Sequence, residues 1–361
     1  MKTEENNPLV EDDKEFDVFK FCRRHLRVSS WHNERNQVYT AKELRDLLNL
    51  VVPIFKEEPT LATLSPPCTI VGDIHGQYRD LIRILNFTND RELMKNAGRK
   101  LGVFTKRFMF LGDYVDRGAQ SIECICLLFS LKVIYRDQYK LLRGNHETKE
   151  VNFAYGFREE LIDKLGDKQG IQIWKLFNIA FQWMPLAGLV GNKILCMHGG
   201  ISSYLKSLDD IRNIQRPVVD VEKAGLECDL LWADPFRAGV PDDAGKAEFV
   251  KNGLRGCGTA FNQGAVKECL KKLNINLIVR AHQVQQTGYS FYADRKLVTI
   301  FSASRYNAGE NMGSVLRVKV NGGIAITTFS AREKNETTET KEEQTTNKTE
   351  KKKKKEKIAM E

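Results

Sequence analysis

Short runs of apolar and β-branched residues that stop abruptly at glycine, arginine or histidine recur along the chain. Cys68-Thr69-Ile70-Val71 precedes Gly72, Phe108 to Leu111 precedes Gly112, and Tyr139 to Leu142 precedes Arg143. Lys193 to Met197 precedes His198, and Asn276 to Val279 precedes Arg280. Such runs predict buried strands with polar residues just past one end. Helical periods lie between them. From Ala41 to Phe55, Leu44, Leu47, Leu48, Val51 and Val52 share one face, and a second helix is predicted over Leu161 to Phe177. Strands alternating with helices, with polar groups collected at strand ends, predict an α/β sheet protein whose active site lies along that edge.

The same pattern divides the chain in three. Residues 1–14 are acidic and polar, without an apolar period, and are expected to form a flexible arm. Residues 15–331 hold the periodic segments with no repeat or low-complexity linker, which predicts one catalytic domain. Residues 332–361 are rich in Lys, Glu, Thr and Asn and carry the run Lys351 to Lys355, the composition of a disordered charged tail.

Composition narrows this only a little. With 361 residues, 42% hydrophobic and 29% charged, the chain is ordinary for a soluble protein, and fibrous or wholly disordered readings are excluded. No apolar run reaches the roughly 18 to 20 residues of a membrane helix, and Met1 to Lys20 lacks an apolar signal segment. A cytoplasmic or nuclear protein with no membrane span is therefore expected. The net charge of +9 includes only +2 from the last 30 residues, and no basic stripe with interleaved aromatics runs through the rest. A nucleic-acid partner is not expected. The eight cysteines are scattered without a C-x-x-C pair, so reduced and mostly buried thiols are predicted.

The strand ends carry the chemistry. The first run ends in Gly72-Asp73-Ile74-His75-Gly76 and the second in Gly112-Asp113-Tyr114-Val115-Asp116-Arg117-Gly118. The others end in Arg143-Gly144-Asn145-His146-Glu147, His198-Gly199-Gly200 and Arg280-Ala281-His282-Gln283. Any one of these Asp or His residues alone is more simply a turn, a cap or a hydrogen-bonded core group. Together they set oxygen and imidazole donors at the same end of successive strands, a ligand set suited to divalent transition metals.

These motifs, in this order, resemble the phosphoprotein phosphatases, metal-dependent serine/threonine phosphatases. The resemblance spans about residues 15–331. It is greatest to the type 1 branch, through Tyr155-Gly156-Phe157, Cys228-Asp229-Leu230-Leu231-Trp232 and Gly288-Tyr289-Ser290-Phe291. It implies the calcineurin-like metallophosphoesterase fold, a central β-sandwich of mixed sheets flanked by helices with a dinuclear metal site at the strand ends. One metal would be held by Asp73, His75 and Asp113, the other by Asp113, Asn145, His198 and His282. They would be two divalent ions, manganese in vitro and iron or zinc in the cell, activating a bridging hydroxide for in-line attack. His146 would be the general acid, held by Asp116. Arg117, Asn145, Arg255 and Tyr306 would contact the substrate phosphate. Arg143 is a further candidate, with a role in structuring its loop as the rival. Substrates would be phosphoproteins. Regulatory subunits would dock a Val/Ile-x-Phe type motif on a groove matching Ile194, Leu277, Phe291, Arg295 and Val298, completed by Ile324 and Ile326.

The chain also departs from the family. Ser304-Arg305-Tyr306-Asn307-Ala308 replaces the usual Pro-Asn-Tyr-Cys-Gly, so the cysteine that certain cyclic peptide toxins modify is missing. Altered toxin inhibition and substrate preference are expected. The stretch after Gln77, with Arg91, Lys95, Arg99 and Lys100, is longer than in relatives and predicts a surface loop or short helix. Phe261-Asn262 replaces Phe-Gly, and asparagine would suit a left-handed backbone there. Two alternatives compete with a protein phosphatase. One is an esterase for small phosphoesters, and the other is a catalytically weak or dead scaffold, which the intact ligand set argues against.

Overall fold

All five predicted strands form. The computed structural model describes residues 15–26, 38–87, 106–236 and 248–330; the predicted arm, the predicted tail and residues 88–105 of the long segment after Gln77 lie outside the described residues. Helices α1 (Val18–Leu26) and α2 (Ala41–Glu57) lead into β1 (Leu61–Leu64), β2 (Cys68–Val71) and α3 (Tyr78–Phe87). Strand β3 (Phe108–Phe110), helix α4 (Ser121–Ile134) and β4 (Tyr139–Leu141) follow, then α5 (Lys149–Ala154), α6 (Phe157–Leu165) and α7 (Asp167–Gln182). Next come β5 (Ala187–Val190), β6 (Ile194–Met197), α8 (Leu208–Arg212), α9 (Leu226–Trp232), β7 (Asp234–Pro235), β8 (Phe249–Lys251) and β9 (Thr259–Phe261). The chain continues through α10 (Gln263–Leu273), β10 (Leu277–Arg280), β11 (Tyr289–Tyr292), β12 (Leu297–Ile300), β13 (Gly313–Val318) and β14 (Ile324–Phe329).

The predicted helix from Ala41 is α2, begun by a capping box in which the Thr40 hydroxyl accepts from the Glu43 amide and the Glu43 carboxylate accepts from the Thr40 amide. The helix predicted over Leu161 to Phe177 is instead two, because Gly166 takes φ +77 and its amide closes α6 on the Ile162 carbonyl at 2.7 Å.

Two mixed sheets, ordered β1-β5-β6-β10-β12-β11 and β14-β13-β2-β3-β4, face each other, and a small sheet β7-β9-β8 stands beside them. Alternate residues of each strand go to different cores, the period of two that a strand imposes. Ile70, Met109, Cys196, Val279 and Val298 fill the space between the sheets. Val71, Phe108 and Phe110 face the N-terminal helices, while Leu195, Met197 and Ile278 face the other way, among Leu230, Val266 and Leu270. Covering both faces explains why these strands read as unbroken apolar runs.

The topology also gathers the strand ends. Strands β2, β3 and β4 run parallel, as do β6, β10 and β12. A bridge between Asp73 and Phe301 joins the two sheets at the edge where these strands finish.

Candidate active site

At that edge the polar residues converge. Asp73 follows β2, Asp113 follows β3, Asn145 follows β4, His198 follows β6 and His282 follows β10. All five are buried. Each aspartate commits one oxygen to the backbone: Asp73 Oδ1 accepts from the His282 amide at 3.0 Å and Asp113 Oδ1 from the His146 amide at 2.9 Å. Their Oδ2 atoms turn inward. His75 Nδ1 and His198 Nδ1 face the Val115 and Leu111 carbonyls at 3.0 and 3.2 Å. A carbonyl only accepts, so these nitrogens carry a proton and each Nε2 is turned inward, a lone-pair donor when the ring is neutral.

Two clusters of donor atoms result. His198 Nε2 lies 2.8 Å from Asn145 Oδ1, 3.1 Å from His282 Nδ1 and 3.4 Å from Asp113 Oδ2. His75 Nε2 lies 3.4 Å from Asp113 Oδ2 and 3.7 Å from Asp73 Oδ2. Inward-facing lone pairs at these separations repel one another unless a cation or proton lies among them, so the residues fit divalent metals. Burial drives the His282 pKa well down, helped by Arg255 and His198, which favours the neutral ligand form. For Asp113 burial works the other way, yet the positive charge of the His198, His146 and His75 rings in their protonated form outweighs it and holds the carboxyl well below its usual range.

The backbone here is unusual. His75, Asp113, Asp116, Arg117 and His282 all take left-handed φ, between 46° and 71°. The glycines of the motifs have a packing reason as well: a side chain on Gly112 would sit 2.4 Å from the Gly144 nitrogen, and one on Gly144 would meet Asp113 Oδ1 at 2.3 Å.

His146 stands beside the clusters. Its Nδ1 meets Asp116 Oδ2 at 2.6 Å, and its Nε2 looks into the site, 3.9 Å from Asp113 Oδ2. Burial opposes the charged ring, but Asp113 and Asp116 outweigh it and raise the pKa. The site opens into a cleft of about 1110 Å³ lined also by Arg117, Arg255 and Tyr306. The Arg117 guanidinium stacks on Tyr155 at 4.0 Å, and Tyr306 lies against His75 with ring centroids 4.9 Å apart.

Comparison with known proteins agrees with this geometry. Residues 66–286 match the Calcineurin-like phosphoesterase family. The serine/threonine-protein phosphatase PP1-delta of Caenorhabditis elegans is 38% identical over 314 residues, 86% of this chain and 94% of that protein. A putative serine/threonine-protein phosphatase of the same organism, C06A1.3, is 42% identical over 286 residues, 78% of this chain and 72% of that protein. The chain belongs to the serine/threonine phosphatases of the calcineurin-like family. A solved serine/threonine phosphatase from Saccharomyces cerevisiae, similar to human PP5, superposes with a TM-score of 0.68 at 29% identity, covering 82% of this chain and 91% of the other.

Within this phosphatase the two readings left open for Arg143 separate. Arg143 does not line the cleft; it is buried, donating from Nε to the Glu147 carbonyl at 3.0 Å and from Nη1 to the Val218 carbonyl at 2.7 Å. It structures the loop. The Asn262 expectation also changes: its φ is −93°, and its side chain caps α10 by accepting from the Ala265 amide at 2.9 Å. No left-handed residue is needed there.

Two supporting residues had no role assigned from sequence. Glu147, quoted in its motif, accepts the amides of Asp113 and Gly144 through Oε2 at 2.7 and 2.9 Å and that of Tyr114 through Oε1 at 2.8 Å. It clamps the loop that carries the shared aspartate. Asp234 Oδ2 accepts from Arg255 Nε at 2.9 Å, and its Oδ1 from Arg280 Nη2 at 3.0 Å. Its only sequence signal was a position shortly after the Cys228 to Trp232 motif. Of the cysteines, seven are buried, Cys257 is half-buried, and all eight are free.

The residues of the expected docking groove also meet. Ile194 pairs with Leu277 across β6 and β10, and Val298 with Phe291 across β12 and β11. They join one cluster with Ile326 at its margin, and Arg295 lies over the Phe291 ring at 4.6 Å. Ile324 is 39% exposed and outside that cluster.

Proposed function

We propose that this phosphatase hydrolyses phosphoserine and phosphothreonine esters in one step, with two divalent cations held by Asp73, His75 and Asp113 and by Asp113, Asn145, His198 and His282. When bound, such ions supply an acidified water and charge stabilisation for the phosphoryl group, chemistry open to manganese, iron or zinc. The observation that carries the reading is Asp113 Oδ2, 3.4 Å from both His75 Nε2 and His198 Nε2, within reach of both ligand sets.

The remaining roles follow from the leaving group. A serine or threonine alkoxide departs poorly and needs a proton, which His146 donates from Nε2 while Asp116 holds its Nδ1–H. Arg117 and Arg255 offer planar guanidinium donors to the phosphate oxygens, with Asn145 and Tyr306 beside them. Regulatory subunits with a Val/Ile-x-Phe type segment are read onto Ile194, Leu277, Phe291, Arg295 and Val298, supported by their clustering. The intact donor set weighs against a dead scaffold.

The test is hydrolysis of a phosphothreonine peptide by the full chain with manganese, beside a His146→Asn variant and a chelated sample. Activity is expected to collapse in both controls. Full activity after chelation would sink the metal reading, and an unchanged kcat in H146N would sink the acid.

A further inference from the structure

The cleft continues past Arg255 along a wall that hydrolysis itself does not use. Phe236, Val250, Leu254 and Val284 line it. Leu254 is 72% exposed, Val284 48% and Val250 39%. Single exposed apolar side chains are ordinary, but three lining one cleft beside a reactive centre mark a surface built for a ligand.

The wall is tied to the phosphate-binding end. Val250 comes from β8, Leu254 precedes Arg255 in the next turn, and Val284 follows His282 by two residues. Asn252 Nδ2 and Arg255 Nε both donate to Asp234 Oδ2, at 3.0 and 2.9 Å, and Arg255 Nη2 donates to the His282 carbonyl at 3.3 Å. These bonds fix the offset between the wall and the guanidinium that meets phosphate. An extended peptide rises about 3.3 Å per residue, so a side chain one or two positions from the phosphorylated residue reaches the wall.

Charge narrows the occupant. The carboxylates among the described lining residues, Asp73, Asp113 and Asp234, are all buried, and Asp234 is paired with Arg255 and Arg280. Two cations adjoin the wall in sequence, Arg255 after Leu254, which is paired with Asp234, and Lys251, exposed beside Val250. A basic side chain is repelled there and an acidic one is attracted.

We propose that Val250, Leu254 and Val284 form a specificity subsite that receives a Leu, Ile, Val or Phe side chain close in sequence to the phosphorylated residue, with Lys251 favouring an acidic neighbour. The inference rests on the phosphate position given above and deepens it by naming the substrate class.

The test uses the full chain with manganese and a panel of phosphothreonine peptides that differ at one flanking position at a time, Leu, Gly or Lys, on each side. Leu254→Ser and Val284→Ser are compared with wild type, and p-nitrophenyl phosphate, which has no flanking residues, reports the intact centre. At one position the wild type is expected to favour Leu over Gly by roughly tenfold in kcat/KM, chiefly through KM, and to disfavour Lys. Each variant is expected to lose most of that preference while keeping turnover of p-nitrophenyl phosphate. A wild type indifferent to its flanking residues, or a preference that survives in both variants, would overturn the subsite and leave the wall to a regulatory partner. A wild type that cleaves p-nitrophenyl phosphate and no phosphothreonine peptide would overturn the phosphopeptide reading as well.

Discussion

Asp116 holds His146 by Nδ1 at 2.6 Å with one oxygen and the Phe157 amide at 2.9 Å with the other. The first bond fixes the ring's tautomer, and the second fixes the carboxylate that fixes the ring. Removing the charge by Asp116→Asn is expected to lower kcat on phosphothreonine peptides by about 10² to 10⁴ with little change in KM. With p-nitrophenyl phosphate, whose leaving group needs no proton, the loss should be much smaller. Equal losses on the two substrates would count against acid catalysis.

Glu147 clamps three amides of the loops that carry Asp113 and Asn145. Glu147→Gln replaces one acceptor with a donor and unsettles the shared ligand. Manganese affinity is expected to fall about 10- to 100-fold, the usual effect of losing a group that orients ligands. Titrating activity against manganese would show it, with high metal restoring much of the rate.

The reassignment of Arg143 separates it from Arg117. Arg143→Ala leaves the buried Glu147 carbonyl and the half-buried Val218 carbonyl without their donor and should cost about 2–4 kcal/mol of stability. The folded fraction should keep its KM. Arg117→Ala, on an exposed side chain, should do the reverse, raising KM with an unchanged melting temperature. Denaturant titration alongside steady-state kinetics distinguishes the two.

Glu160 of α6 caps the start of α4, accepting the Ser121 and Ile122 amides at 2.9 and 3.1 Å. Burial, reinforced by Glu123, pushes its pKa up from 4.5 to about 7 against those two donors. Because the folded form holds this proton more tightly, the contribution to stability is complete below about pH 4.5 and is lost as pH rises through 7. Glu160→Gln should therefore flatten part of the decline in melting temperature between pH 5 and pH 7.5. Parallel curves for variant and wild type would contradict it.

Phe291 lies under Arg295 beside Val298 and across the sheet from Ile194 and Leu277. If this cluster receives a Val/Ile-x-Phe type segment, Phe291→Asp should abolish binding of such a peptide in a fluorescence assay. Turnover of p-nitrophenyl phosphate should be unaffected. Undiminished binding would place the segment elsewhere.

The donor set was legible because parallel strands buried on both faces must end in a common edge, and the polar residues that interrupt the apolar runs fall there. Arg143 was not legible, since an arginine at a strand end can turn into the cleft or back beneath a carbonyl 75 residues away, and the local sequence is the same for both. The role of Asp234 was hidden for the same reason: its partners Arg255 and Arg280 are distant in the chain. Asn262 misled because asparagine serves two conformations, and the Ala265 amide three residues later was the deciding partner. The apolar wall left no period at all, because Val250, Leu254 and Val284 come from a strand, a turn and a loop.

The left-handed backbone at His75, Asp113, Asp116, Arg117 and His282 has a thermal consequence. A non-glycine residue in that region costs on the order of 1–2 kcal/mol, so five together approach the whole net stability of an ordinary domain. The sandwich must restrain these loops continuously, and relaxing them releases energy without melting a strand. Local opening at the strand ends is thus easier than global unfolding. Heating should silence the enzyme at a temperature where its sheets are still intact, and cooling should restore it.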